Sequence, residues 1–201
     1  MLWQGHGALA GGDGWVSLHP ADGAELTLAT PDPELLADPA RRVLDLMVDG
    51  GGYFFRALAD QLQTELPGTG DEALTNLLWE LVWAGFATND TLAPLRAQLG
   101  QATTAHRSRP AAPPRARFGR GLARAPLRRV SPPTAAGRWS ALPAPDTDPT
   151  ARAVATAEAL LDRYGVVTRG SVAAEGIEGG FAGVYRVLAA AEDAGRVRRG
   201  Y

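Results

Sequence analysis

Arginine set beside aromatic rings is the chemistry this sequence offers most. Arg115, Arg117, Phe118, Arg120, Arg124, Arg128 and Arg129 fall in one short stretch. At that spacing guanidinium groups can follow a phosphate backbone while Phe118 stacks on a base. Arg169, Arg186, Arg196, Arg198 and Arg199 form a second group, around the last helical patterns of the chain. Trp79 and Trp83 could also stack on unpaired bases, but at helical spacing they are expected to serve the core or a domain contact. Catalytic patterns are scarce by comparison. All twenty basic residues are arginine, so no G-x-x-x-x-G-K-[ST] phosphate loop can exist here. Three scattered histidines have no metal-ligand spacing, and His6 and Asp13, together on a glycine-rich loop, lack a third ligand. No catalytic residue, metal site or cofactor of its own is expected of this chain.

Charge partition supports the emphasis on arginine. The formal net charge is −2, yet residues 1–99 carry four Arg and fourteen acids, and residues 100–140 carry nine Arg and no acid. Residues 141–201 are nearly balanced, with seven Arg and eight acids. Such asymmetry bears on partners more than on fold. The lack of cysteine removes disulfides and suits a cytoplasmic protein. No run approaches eighteen apolar residues and no secretory signal opens the chain, so no membrane partner is expected.

The elements that must position these residues read as mainly α with short β, an α+β class. Residues 1–30 read as a β-hairpin around GHGALAGGDG. Residues 31–99 read as a winged-helix-like domain with helices over 39–49, 53–65 and 70–85. The last of these is expected to open with a Thr69–Glu72 capping box and to bury Leu74, Leu77, Leu78 and Leu81. Gly85 ends it, and Phe86-Ala87-Thr88 leaves as a strand with little or no wing after it. The outward stripe, Glu72, Asn76 and Glu80, would repel phosphate, so this module is expected to be structural. Residues 100–145 hold eight of the fifteen prolines and read as a disordered basic linker, either a plain spacer or a strap for nucleic acid. Trp139, at its end, is expected to dock on the following domain. Residues 146–201 read as a second winged helix. Asp148-Pro149, Gly165, Thr168, Gly179-Gly180 and Gly195 punctuate its helices, and 196–201 reads as a wing strand whose partner lies beyond the sequence. Its arginines either contact phosphate or form a solvated basic strand end. Leu2-Trp3 reads as mid-strand, and both ends suggest a portion of a longer frame.

The run LLWELVWAGFATNDTLAPLRAQL, with LWQGHGALAGGDGWVSLH before it and GRWSALP, RYGVVTRG, GGFAGVYRVL and AGRVRRGY after it, resembles the large helicase-related (Lhr) family of bacterial DNA repair helicases. The similar region lies beyond the motor core, where that family has tandem winged helices and a β-barrel. The resemblance implies a DNA-binding and scaffolding portion of an ATP-dependent helicase. ATP and Mg would belong to the parent motor, and the partners would be single-stranded or tailed DNA and the rest of the helicase chain. A stand-alone protein-interaction module and a glycosylase-like repair activity are the alternatives. The family has been linked to the latter, but no residue here carries a motif for it.

Overall fold

A computed structural model describes residues 1–100 and 130–200, which form two compact units. The first unit contains Leu2–Leu18 and the described residues of 31–142; the second contains residues 19–30 and 143–200. No helix among the described residues is long and apolar enough to cross a membrane.

In the first unit, β1 (Leu2–Ala8) pairs with β2 (Gly14–His19) around a tight turn. Helix α1 (Ala24–Thr27) belongs to the second unit, and α2 (Asp38–Asp45), α3 (Phe55–Glu65) and α4 (Asp71–Trp83) follow it in the first. The helical spacing reads through directly into burial. Ala40 and Val43 of α2, Phe55, Leu58 and Leu62 of α3, and Leu74, Leu78, Leu81 and Val82 of α4 make one core with Met47 and Trp3. The opening of α4 differs from expectation. Gly70 stands at the cap without a side-chain bond, and the Thr69 hydroxyl donates instead to the Leu66 carbonyl. The charge of the first turn is used differently too: the Asp71 carboxylate accepts two bonds from Arg56, at 2.9 and 2.6 Å. An acid there also complements the helix dipole.

The larger correction concerns the end of the basic stretch. Strands β3 (Tyr53–Phe54), β4 (Ala87–Asn89) and β5 (Arg138–Ala141) form one antiparallel sheet in the order β3-β5-β4. Between β4 and β5 runs a short helix, α5 (Ala93–Gln98). Trp139 does not dock on the following domain. It is fully buried in the first unit, pairs across to Tyr53 and Asn89, and meets Trp79 edge-on at 6.0 Å. Ala135 is buried in the same core, so residues 130–142 are part of this unit rather than a disordered connection. The physical reason is the edge of β4, whose backbone groups need a partner that the preceding residues do not supply. Strand β4, expected to leave its helix without a partner hairpin, is therefore paired by β5.

The end of the β4–β5 pairing is clamped. The Asp90 carboxylate accepts from the Arg138 backbone N–H and from its Nε, both at 2.9 Å, while Asp90 N–H donates to the Arg138 carbonyl. Gly137, at φ +81°, sits where a Cβ would come within 2.4 Å of Asn89 Oδ1. The Arg138 N–H and guanidinium hold the Asp90 carboxyl below its ordinary value of 3.8. A depressed carboxyl stabilises the fold above its unfolded value, and that contribution is lost as pH falls through the lowered one. Asp90→Asn is accordingly expected to flatten the acid limb of a stability-against-pH curve below pH 4, measured by urea denaturation.

In the second unit, α6 (Pro149–Tyr164) opens as the sequence predicts, with Asp148 accepting from Thr150 N–H and Pro149 in the first turn. Helix α7 (Arg169–Ala174) has a reciprocal Thr168–Ser171 capping box, and α8 (Gly180–Asp193) follows it. Ala157, Leu160, Val172 and Val184 form the core, with Phe181 and Leu188 packed against them. The buried face of α6 includes Ala157 and Leu160, while Tyr164 in its last turn is exposed. Its hydroxyl donates to Glu175, which also pairs with Arg163. Residues 197–200 form no strand, because no described strand offers them an edge.

An unexpected contribution comes from near the start of the chain. Helix α1 (Ala24–Thr27) buries Ala24 and Leu28 in this unit. Arg152 of α6 donates to the carbonyls of Glu25 and Leu28 at 3.0 and 2.7 Å. These carbonyls end a short helix and have no intrahelical partner. The Glu25 carbonyl also accepts from Asp146 N–H at 2.8 Å, so Arg152→Ala removes the guanidinium donor of the Leu28 carbonyl and one of two donors at Glu25. It should destabilise the unit by about 1–2 kcal/mol, read as a shifted denaturant midpoint, with Arg152→Lys recovering only part.

Candidate nucleic-acid interface

Helices α7 and α8 meet through a glycine turn at Gly176 and Gly179, both at positive φ. The side of α8 bearing Val184, Val187, Leu188 and Ala191 faces the core, which leaves Ala182, Tyr185, Arg186 and Ala190 exposed. No acid lies within a helical turn of Arg186, since its neighbours on that side are Ala182, Gly183, Ala189 and Ala190. Small residues around a lone guanidinium let a phosphate backbone approach closely.

Beside this stripe lies a row of alternating charge and ring. The Arg169 guanidinium sits over the Phe181 ring at 5.4 Å. Phe181 and Tyr185, one helical turn apart, lie at 5.8 Å between ring centroids. Arg199 then covers the Tyr185 ring at 5.2 Å. Each contact is of the cation–π or tilted aromatic kind. Arg169 opens α7, where a cation opposes the helix dipole, so the Phe181 ring face offers it a compensating contact. Arg199 is held from its other side by Glu192. Its backbone N–H donates to Oε1 and its Nη2 to Oε2, both at 2.9 Å. Those two donors, the backbone N–H first, hold the Glu192 carboxyl below the usual range.

Of the arginines singled out in the sequence, Arg169 and Arg199 belong to this row. Arg186 stands beside it on the same helix. Arg196 and Arg198 lie on the segment after α8 and form no side-chain ion pair among the described residues. Arg115, Arg117, Phe118, Arg120, Arg124, Arg128 and Arg129 lie outside the described residues. Helical spacing alone places Phe181 on the core side of its helix and gives Tyr185 and Glu192 no role. The signal was present as Phe181 and Tyr185 at i,i+4, and as an acid seven residues before an arginine, but only the returning chain joins that second pair.

The other candidates sort differently. His6 shares a 2.6 Å bond with Ser17 Oγ, burial pushes its imidazole below its ordinary value, and Asp13 accepts from Gly14 N–H. No group of three potential metal ligands occurs among the described residues. Glu80 accepts from Ala37 N–H at the start of α2, which gives that acid a structural use. Trp79 is buried and donates to the Thr134 carbonyl at 3.0 Å.

Comparison with known proteins bears on this geometry. Residues 146–201 match the winged-helix domain of the large helicase-related protein family. The whole chain aligns at 46% identity with a Mycolicibacterium smegmatis protein described as an Lhr helicase and probable uracil glycosylase. It aligns at 36% identity with the Escherichia coli Lhr helicase/uracil glycosylase. In each case all of this chain is covered, and it spans 13% of the relative's length.

Proposed function

From a chain that is a region of the large helicase-related (Lhr) family, we propose a DNA-binding and scaffolding part of an ATP-dependent repair helicase. Under this reading the motor, with its ATP and Mg, lies in the remainder of the parent protein. The 146–201 domain contacts DNA through α8. The observation that carries the reading is the exposed stripe around Arg186, with no acid within a helical turn of it and with Tyr185 beside it on the second helix of a helix-turn-helix. The first unit, whose order after the hairpin is helix–strand–helix–helix–strand–helix–strand, is a second winged-helix-like module in which β5 pairs with β4. The arginines of 101–129 add sequence-independent phosphate affinity.

Fluorescence anisotropy with labelled single-stranded, tailed and blunt oligonucleotides tests this directly. Deleting 101–129 should weaken binding and lower its salt dependence without abolishing it. Arg186→Glu in that shortened chain should remove most of what remains. Arg186→Ala in the full chain should reduce the slope of log K against log salt by about one. Equal affinity and slope across all variants would overturn the proposal.

A protein-docking role for the hairpin is a second reading. Trp15 and Leu18 of β2 stand 70% and 52% exposed, which is a large apolar display for one short strand. If that surface binds the rest of the helicase, Trp15→Ser should weaken association with the separately expressed motor portion and leave oligonucleotide affinity unchanged.

A further inference from the structure

We propose that Tyr185, Glu192 and Arg199 form one contact site for a phosphate and the unpaired base next to it, with the Glu192 carboxylate standing in the phosphate's place until nucleic acid arrives. This rests on the DNA-binding reading above and adds to it the atoms concerned and an opposing charge that sets affinity.

The geometry of the pair is that of an anion site. Two donors from one residue, a backbone N–H and a guanidinium Nη2, converge at 2.9 Å on the two oxygens of one carboxylate. A phosphate offers the same arrangement of paired acceptor oxygens, and arginine recognises both groups through the same fork. The carboxylate is not buried structure. The Arg199 side chain is 54% exposed and that of Glu192 33%, so a competing anion can reach both. An exposed ion pair is weak enough to be exchanged.

The ring completes the site. Arg199 covers Tyr185, which is 39% exposed and supported behind by Phe181. When a phosphate replaces Glu192, the guanidinium follows it, and the ring face it leaves can stack on the base adjoining that phosphate. Stacking of this kind requires a base that is free of a duplex partner. Glu192, once released, repels the same phosphate. It therefore lowers affinity for the strand, an effect opposite to that of the arginine it holds.

The test uses the full 201-residue chain and an oligothymidine carrying one 2-aminopurine, whose fluorescence falls when it stacks. Glu192→Ala is expected to bind this probe roughly two- to fivefold more tightly than the unaltered chain. Tyr185→Leu should abolish the quenching while Tyr185→Trp and Tyr185→Phe preserve it. Arg199→Ala should lose both quenching and affinity. Absence of probe binding by the unaltered chain at low salt would overturn the DNA-binding reading itself. Binding with quenching indifferent to Tyr185→Leu, or with Glu192→Ala no tighter, would overturn this inference and leave that reading in place.

Discussion

Trp139→Ala should cost the first unit about 3–5 kcal/mol, the largest loss expected from any single side chain here. Three things go together at that position. The indole is fully buried, its Nε1 donates to the Ala135 carbonyl at 3.2 Å, and its ring meets Trp79 edge-on. Its backbone also lies in the central strand, so loosening β5 exposes edges on β3 and β4 together. A near-UV circular dichroism signal from the packed tryptophans, followed through a urea titration, reports the change. Trp139→Phe keeps much of the buried area but leaves the Ala135 carbonyl without its indole donor, and should fall between the two. A midpoint unmoved by Trp139→Ala would mean that residues 138–141 do not belong to this core.

Gly5→Ala is expected to produce the next largest effect, about 2–3 kcal/mol, from the addition of one methyl group. A Cβ at Gly5 would lie 2.4 Å from the Val82 carbonyl oxygen and 3.0 Å from the Trp83 ring. The nearest of these atoms is backbone in the middle of α4's last turn, which cannot swing aside as a flexible side chain can. The hairpin is pinned to that place. Trp3 Nε1 donates to the Asn89 carbonyl at 2.8 Å, and Gln4 Nε2 to the Gly85 carbonyl at 3.1 Å. Gly14 meets the same edge of that ring, with a Cβ 2.4 Å from Trp83 Cζ3 and 2.7 Å from Cε3. Hydrogen exchange should show the amides of 2–8 losing protection in Gly5→Ala before those of α3 do. A more open site, such as Gly70→Ala, where a Cβ meets nothing within 4 Å, provides the comparison.

These two positions also mark where reading the chain by itself stops. The helices were legible because their signals are local. Leu74, Leu78 and Leu81 recur at helical spacing, Asp148-Pro149 and Thr168 open helices, and Gly165 and Gly195 close them. The resemblance to Lhr proteins rested on short runs of sequence and needed no coordinates. The arginines of the proposed interface, Arg169, Arg186 and Arg199, could be named from type and charge alone.

What tertiary structure decided was every pairing between distant residues. A strand of four residues, Arg138–Ala141, has too little pattern to announce its sheet, and its neighbours in composition are the prolines and arginines of the basic stretch. Arg152 looks like any helix-surface cation until the carbonyls of Glu25 and Leu28 are brought to it. Glu192 and Arg199 come into contact only because the chain turns back at Gly195. The physical distinction is between propensity and closure. Spacing, capping and charge act within a few residues of their origin and can be read along the chain. Unpaired strand edges, helix-end carbonyls and exposed charges are satisfied by whatever the fold brings near, and only the folded chain shows which residue that is.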